Sequence, residues 1–168
     1  MRFDEEAARM RLKRDARHAF SRWITKLDLD WFVTLNSNCE TTPDGLRRLI
    51  GYWLMLIDRE ALGNRFRDLP NERAFLLGWI EPATYWHCHS YIRFPEYYWD
   101  MPDRVLFPKL EMKWKEAIAS GSLDIQVASV YGIQKNVTPY CTKYWRSKDF
   151  EDRLVISTEF HPQKRTDK

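Results

Sequence analysis

YWHCHSYIRF, the stretch of residues 85–94, contains two histidines two positions apart, His87 and His89. Aromatic and β-branched residues dominate it, and Pro82 and Pro95 bound the region, which predicts a β-strand. Because side chains alternate between the two faces of a strand, both histidines point the same way. Two imidazoles on one face suit one divalent metal ion. The alternative is a pair of surface or core histidines that merely fall two positions apart.

A second strand is predicted immediately upstream, from Ala74 to Glu81, and it is apolar up to the glutamate. Residues 82–85 are predicted to form the turn of a hairpin between the two strands. If the loop keeps odd positions opposite odd positions, Glu81 lies across from His87. A carboxylate beside two imidazoles then completes a three-ligand metal site with open positions. The alternative is that Glu81 is simply the polar end of its strand.

A third candidate segment is predicted to be a helix that contains Tyr140 and Lys143. Thr138 can cap this helix and Pro139 can occupy its first turn. Tyr140 and Lys143 are three positions apart, so they share one helix face. A phenol beside a cation is a candidate nucleophile with a partner for phosphate charge. The alternative is a buried ring and a solvated amine.

These segments, in this order, resemble three motifs of the HUH endonucleases, and specifically of the Rep proteins that initiate rolling-circle replication. Glu81 precedes the histidine pair, where that family often has its third metal ligand. Each motif is short, so the order and the spacing carry the resemblance. The matching segments are Trp31-Phe32-Val33-Thr34-Leu35-Asn36, His87-Cys88-His89 and Tyr140-Cys141-Thr142-Lys143.

The resemblance implies nicking and joining of single-stranded DNA, with a DNA origin or hairpin as the substrate and a helicase as a possible partner. Glu81, His87 and His89 would hold Mn²⁺ or Mg²⁺, although these ligands alone would also accept Zn²⁺, Co²⁺ or Ni²⁺. Tyr140 would attack the phosphorus and form a 5′-phosphotyrosine link with release of a 3′-hydroxyl. Lys143 would stabilise the phenolate or the phosphate.

Tyr144 departs from the family's pattern. It follows Tyr140 by four residues, so both rings can face one site. Some family members use two such tyrosines in alternation, each followed by a lysine three residues later. Here that position is Ser147, and Lys148 comes one residue after it. We therefore expect Tyr140 to be the nucleophile and Tyr144 to be a packing residue, with a second nucleophile as the alternative.

Basic residues are concentrated at both ends of the 168-residue chain, whose formal net charge is +3. Residues 1–26 hold eight Lys or Arg against four Asp or Glu, and residues 135–168 hold eight against five. A helix is predicted from about residue 4 to residue 26, with a basic stripe that either follows a phosphate backbone or is an exposed face. The candidate DNA contacts are Arg9, Lys13, Arg17, Asn36, Lys135, Arg146 and Lys148.

The order of predicted elements indicates a single α+β domain in which helices pack on a central antiparallel sheet. The resemblance narrows this to a ferredoxin-like HUH core. Strands are predicted at 30–36, 74–81, 85–94, 123–131 and 154–158. One helix is predicted at 42–60, and another follows residue 102, is clearest from 110 to 119 and ends near Gly121. The aromatic stretch 95–102 either stacks unpaired bases or packs in a core or an interface. The tail 161–168 is expected to be loosely ordered.

Composition excludes several classes of protein. A hydrophobic content of 44% is typical of a globular chain and not of a disordered one. Three cysteines without a C-x-x-C motif favour a reducing compartment, which is the cytoplasm or, for a eukaryotic virus, the host nucleus. The amino terminus is charged and lacks an apolar core, so no signal peptide is predicted. No apolar run is long enough to predict a membrane span. No P-loop motif is found in the sequence.

Three other functions stay open at this level. The first is a non-catalytic nucleic-acid-binding module in which the histidines are structural. The second is an HUH transposase or relaxase, although relaxases usually carry a third histidine near the pair. The third is an unrelated metal-dependent phosphoesterase that uses His87 and His89 with a water nucleophile and forms no covalent intermediate.

Overall fold

A computed structural model gives the fold of this chain. It describes residues 29–128 and 150–161, except the side chains of residues 150 and 151, and also residues 11, 14–15, 18–20, 22–24 and 26–27. The described residues between 11 and 24 are helical, as predicted for the first helix. None of the described helices is long and apolar enough to cross a membrane.

The described elements alternate as strand, helix, strand, strand, helix, strand, followed by a short helix and an edge strand. They are β1 (Trp31–Asn36), α1 (Pro43–Leu62), β2 (Phe75–Glu81), β3 (His87–Arg93), α2 (Asp103–Ala117), β4 (Ser122–Val127), α3 (Phe150–Arg153) and β5 (Leu154–Ile156). Short 3₁₀ helices cover Gly63–Arg67, Glu96–Tyr98 and Ser157–Phe160. The predicted α+β class, with helices packed on an antiparallel sheet, is confirmed.

The five strands form one sheet in the order β4-β1-β3-β2-β5, and every neighbouring pair is antiparallel. The hairpin of β2 and β3 has the predicted register, with Glu81 directly opposite His87. The pairings between strands that are distant in sequence involve β1, which lies between β3 and β4, and both of these come much later in the chain. The histidine strand is therefore at the centre of the sheet.

Helices α1 and α2 pack on one face of this sheet and form the main core. Thr42 caps α1 by accepting a hydrogen bond from the Gly45 amide at 3.0 Å, and Pro43 opens the helix, as the sequence predicts. Helix α1 has a buried apolar stripe, with Leu49 half-buried at its side. Its fully or nearly fully buried members are Leu46, Ile50, Trp53, Leu54 and Ile57.

The opposite face of the sheet is divided into two parts. One part is a second apolar cluster in which Leu77, Trp79 and Tyr91 pack with Ile24 and Leu29. The remaining part is polar and lies at the end of the sheet where β2 stops and β3 starts. Glu81, His87 and His89 are there.

Some elements differ in extent from the predicted segments. Helix α2 begins at Asp103, ahead of the segment 110–119 where its pattern is clearest, and it ends at Ala117, before the predicted end near Gly121. Pro108 is accommodated inside it at the loss of one backbone hydrogen bond. Burial of Leu106, Leu110 and Trp114, four positions apart, compensates for that loss. Strand β4 covers Ser122–Val127, and residues 129–131 of the predicted strand lie outside the described residues. Strand β5 ends at Ile156, earlier than predicted, where a 3₁₀ turn follows.

Candidate metal centre

Three potential metal ligands meet at the polar end of the second sheet face. Ligand atoms of Glu81, His87 and His89 all lie within 4.8 Å of one another. Glu81 is 5% exposed, whereas both histidines are half-buried and keep a side open to solvent. The sequence prediction that these three residues come together is confirmed by this geometry.

Local sequence explains why the ligands converge. The five residues 82–86 connect β2 to β3, so that Glu81 and His87 pair across the hairpin. Pro82 follows Glu81 immediately and cannot donate to a continuing ladder, so β2 stops there. Alternation along β3 then puts His89 on the face of His87, with the two ring centroids 4.7 Å apart.

The loop that follows β1 is tied to the hairpin beside the site. Ser37 is completely buried, and its hydroxyl donates to the Trp86 carbonyl at 2.9 Å, immediately before His87. The indole of Trp114 donates to the Asn36 carbonyl at 3.0 Å. The Ser120 hydroxyl donates to the Ser37 carbonyl at 2.7 Å. The first of these contacts holds the end of β1 against the hairpin that carries the histidines, and the other two hold it against α2 and the turn after α2.

Asn36 is the only proposed DNA contact that the described part of the chain includes. It is half-buried, and it lies opposite His87 in the β1–β3 ladder. Its position beside the metal centre is compatible with a substrate contact. The other proposed catalytic and DNA-binding residues lie outside the described residues: Arg9, Lys13, Arg17, Lys135, Tyr140, Lys143, Tyr144, Arg146 and Lys148.

Thr34 is a neighbour of the site that the sequence did not reveal as a functional residue. It lies opposite His89 in the β1–β3 ladder, and its Oγ1 atom is 3.0 Å from Nδ1 of His89. Phe32 stacks on the same imidazole, with 5.8 Å between ring centroids and 15° between planes. The pairing of β1 with β3 is non-local, so no local pattern in the sequence gives this register.

The donor set fits a divalent cation. Two imidazole nitrogens and one carboxylate oxygen are a mixed N/O set that first-row divalent metals accept. The ligand atoms are close enough together for one ion to contact all three residues. The set does not discriminate among Mn²⁺, Zn²⁺, Co²⁺ and Ni²⁺ by ligand type.

The aromatic stretch 95–102 lies at the opposite end of the sheet. Tyr98 is buried against Phe94 with 6.1 Å between ring centroids, whereas Tyr97 and Trp99 are more than half exposed. Both exposed rings line a cavity of about 1050 Å³. The same cavity is lined by two guanidinium groups, of Arg73 and Arg93, and by more carboxylates than these balance, so its net negative charge disfavours a DNA backbone. The carboxylates are those of Asp30, Glu72, Glu96 and Asp100.

Comparisons with protein-family models, curated proteins and solved structures found no match for this chain. The arguments about function therefore rest on the site itself.

Proposed function

We propose that this chain is an HUH-type endonuclease that nicks and rejoins single-stranded DNA to initiate rolling-circle replication. The observation that carries the proposal is the convergence of Glu81, His87 and His89 within 4.8 Å at the end of a central antiparallel sheet. The strand and helix order β-α-β-β-α-β, with sheet order β4-β1-β3-β2, is compatible with the ferredoxin-like core of such enzymes.

In this proposal Glu81, His87 and His89 hold one Mn²⁺ or Mg²⁺ ion. When bound, the ion would act as a Lewis acid that orients an oxygen of the scissile phosphate and offsets the negative charge that develops on it. The half-buried histidines leave one side of the site accessible to the substrate, while the buried Glu81 closes the other side. Asn36, opposite His87, is suited to contact the DNA strand next to the scissile phosphate.

Tyr140 is the proposed nucleophile. Its phenolic oxygen forms a bond to phosphorus, the bond from phosphorus to the 3′-oxygen breaks, and the leaving oxygen takes up a proton as a 3′-hydroxyl. The phenolic proton passes to solvent or to a nearby base, and Lys143 stabilises the phenolate or the phosphate. Attack by the 3′-hydroxyl on the phosphotyrosine reverses these steps and joins strands. Tyr144 is proposed to be a packing residue.

The substrate is a single strand or an extruded hairpin, because a tyrosine held on a helix must reach the backbone in line with the leaving oxygen. The basic residues Arg9, Lys13, Arg17, Lys135, Arg146 and Lys148 are proposed to contact phosphates. A separate helicase is a candidate partner.

The test incubates the protein with a pool of single-stranded oligonucleotides and hairpins and Mn²⁺, with and without EDTA. Tyr140→Phe is the test variant and Tyr144→Phe is its matched control. We expect a protein–DNA adduct on a denaturing gel that requires the metal and Tyr140 and survives in the control.

Other results would contradict specific parts of the proposal. Metal-dependent cleavage without an adduct would indicate a phosphoesterase that uses water as the nucleophile. An adduct that mass spectrometry maps to Tyr144 would reassign the nucleophile. With neither cleavage nor an adduct, a non-catalytic binding module would become the better description.

A further inference from the structure

Thr34 contacts one of the proposed metal ligands directly. Its Oγ1 atom is 3.0 Å from Nδ1 of His89, in a half-buried position across the β1–β3 ladder. At this distance the two atoms share a hydrogen bond, whose direction depends on the tautomer of the imidazole. The Nδ1 atom of His89 is therefore occupied by a protein partner.

The imidazole of His89 is also fixed from two other directions. Phe32 stacks on it in a nearly parallel arrangement, with 15° between the ring planes. The ring of His87 meets it edge-on, with 86° between planes and 4.7 Å between centroids. The stacking and the edge contact restrict the tilt of the ring, and the hydroxyl of Thr34 determines which nitrogen faces β1.

From these contacts we infer that Thr34 is a positioning residue that makes Nε2 of His89 the metal-binding atom. A neutral imidazole has one protonated nitrogen and one nitrogen with a free lone pair. When Nδ1–H donates to the hydroxyl of Thr34, the lone pair is on Nε2, at the far side of the ring from Thr34. Histidine ligands commonly donate their second ring N–H in this way, and the partner fixes both the tautomer and the ring orientation.

The inference rests on the metal site of the proposed function but not on its DNA chemistry. Loss of the hydroxyl would leave Nδ1–H without its acceptor and allow the other tautomer, in which Nε2 is protonated and cannot bind a metal. Partners of this kind typically change metal affinity by about 10- to 100-fold when they are removed. Thr34 should therefore affect metal binding even if the chain cuts no DNA.

The first test measures binding of Mn²⁺ alone to the full chain by isothermal titration calorimetry. Thr34→Val removes the hydroxyl at nearly constant size, Thr34→Ser keeps it, and the exposed Thr158→Val is the matched control. We expect the dissociation constant to rise about 10- to 100-fold in Thr34→Val. Thr34→Ser and Thr158→Val should stay close to the wild type. Equal binding by Thr34→Val and the wild type would overturn the inference.

The second test needs no variant, so it decides the question even if Thr34→Val does not fold. Two-bond ¹H–¹⁵N correlation spectra of the Zn²⁺-loaded wild type, with ¹⁵N-labelled histidine, identify the coordinating nitrogen of each imidazole. We expect Nε2 of His89 to bind the metal and Nδ1 to be protonated. Coordination through Nδ1 of His89 would overturn the inference.

The two proposals fail in different ways. Metal binding that depends on Thr34, without any DNA adduct, would uphold the inference and reject the proposed nuclease. A DNA adduct together with unchanged Mn²⁺ binding by Thr34→Val would do the opposite. A wild type that binds neither Mn²⁺ nor Zn²⁺ would overturn both.

Discussion

Cys88 and His89 are neighbours in β3, but their side chains lie on opposite faces of the sheet, and the two faces differ in kind. Cys88 is completely buried on the face covered by α1 and α2, and its burial raises the pKa of its thiol well above the ordinary value. His89 is half-buried on the other face, within reach of Thr34, His87 and Glu81. Substitutions on the first face should change the free energy of unfolding, and substitutions at the hairpin end of the second face should change ligand binding.

The difference follows from what covers each face. On the helix-covered face, a buried polar group without a hydrogen-bond partner would destabilise the folded state. Apolar side chains therefore fill nearly all of the space there. The second face is covered by the apolar cluster around Trp79 and Tyr91 over only part of its area. At the hairpin end of that face, three groups that can bind a metal ion are tolerated because solvent reaches two of them.

The largest effect is expected from a truncation on the helix-covered face. Trp53 is completely buried on α1, and its indole donates to the Leu110 carbonyl at 3.1 Å. Trp53→Ala should lower the free energy of unfolding by about 3–5 kcal/mol because it leaves a cavity and removes the indole hydrogen bond. Urea denaturation measures this. A loss below about 1 kcal/mol would show that the helices do not form the main core.

The second-largest effect is expected on the opposite face of the sheet, in the binding of Mn²⁺ by a His89 variant. His89→Ala should weaken Mn²⁺ binding by at least about 100-fold, because it removes a ligand and not merely a partner of a ligand. The free energy of unfolding without metal should change little, since the histidine is half-buried at the end of the sheet. Calorimetry and urea denaturation of the same samples separate these outcomes. Unchanged Mn²⁺ affinity would remove His89 from the metal site.

A smaller effect is expected at Gly78, which lies in β2 on the helix-covered face, two residues before Ile80. A Cβ atom there would be 2.7 Å from Cβ of Ser90 and 2.9 Å from Sγ of Cys88. Gly78→Ala should therefore destabilise the fold by about 1–3 kcal/mol through overpacking. Adding Ser90→Gly should recover part of the loss in thermal unfolding. An unaltered melting temperature in the single variant would contradict the close approach.

The smallest effect is expected at Glu60, whose carboxylate pairs with Lys109 and Lys113 and so links α1 to α2. Burial raises the pKa of this carboxyl, but the two lysines outweigh burial and the pKa is lowered. Glu60→Gln should cost about 1 kcal/mol at neutral pH.

Because the folded-state pKa of Glu60 is lowered, its contribution is present above the unfolded-state pKa of about 4.3 and is lost as pH falls through the folded value. Urea denaturation of wild type and variant from neutral to acidic pH should show the two curves converging in acid. A difference that grows in acid would have the wrong sign for this linkage.

The sequence predicted the part of the site that local rules determine. Alternation puts His87 and His89 on one face, and the hairpin loop pairs Glu81 with His87, so these three residues follow from the stretch 74–94 alone. Thr34 was missed because its contact with His89 depends on how β1 pairs with β3, across 55 residues of chain. That register is set by tertiary packing.

The same distinction explains why α2 extends ahead of residue 110, where its sequence pattern becomes clearest. Pro108 removes a backbone donor and disfavours helical structure in the residues before it. Burial of Leu106 and Leu110 against the sheet and α1 outweighs that local preference. The predictions for Tyr140, Lys143 and Tyr144 fall outside the described residues and stay predictions.

The most direct test of the metal centre is a crystal of the full chain grown with Mn²⁺, with diffraction data collected at the manganese absorption edge. The account predicts one strong anomalous-difference peak bounded by the carboxylate of Glu81 and the imidazoles of His87 and His89, with Nε2 of His89 facing it. A map with no peak there at saturating Mn²⁺, or with the peak at other residues, would contradict the account.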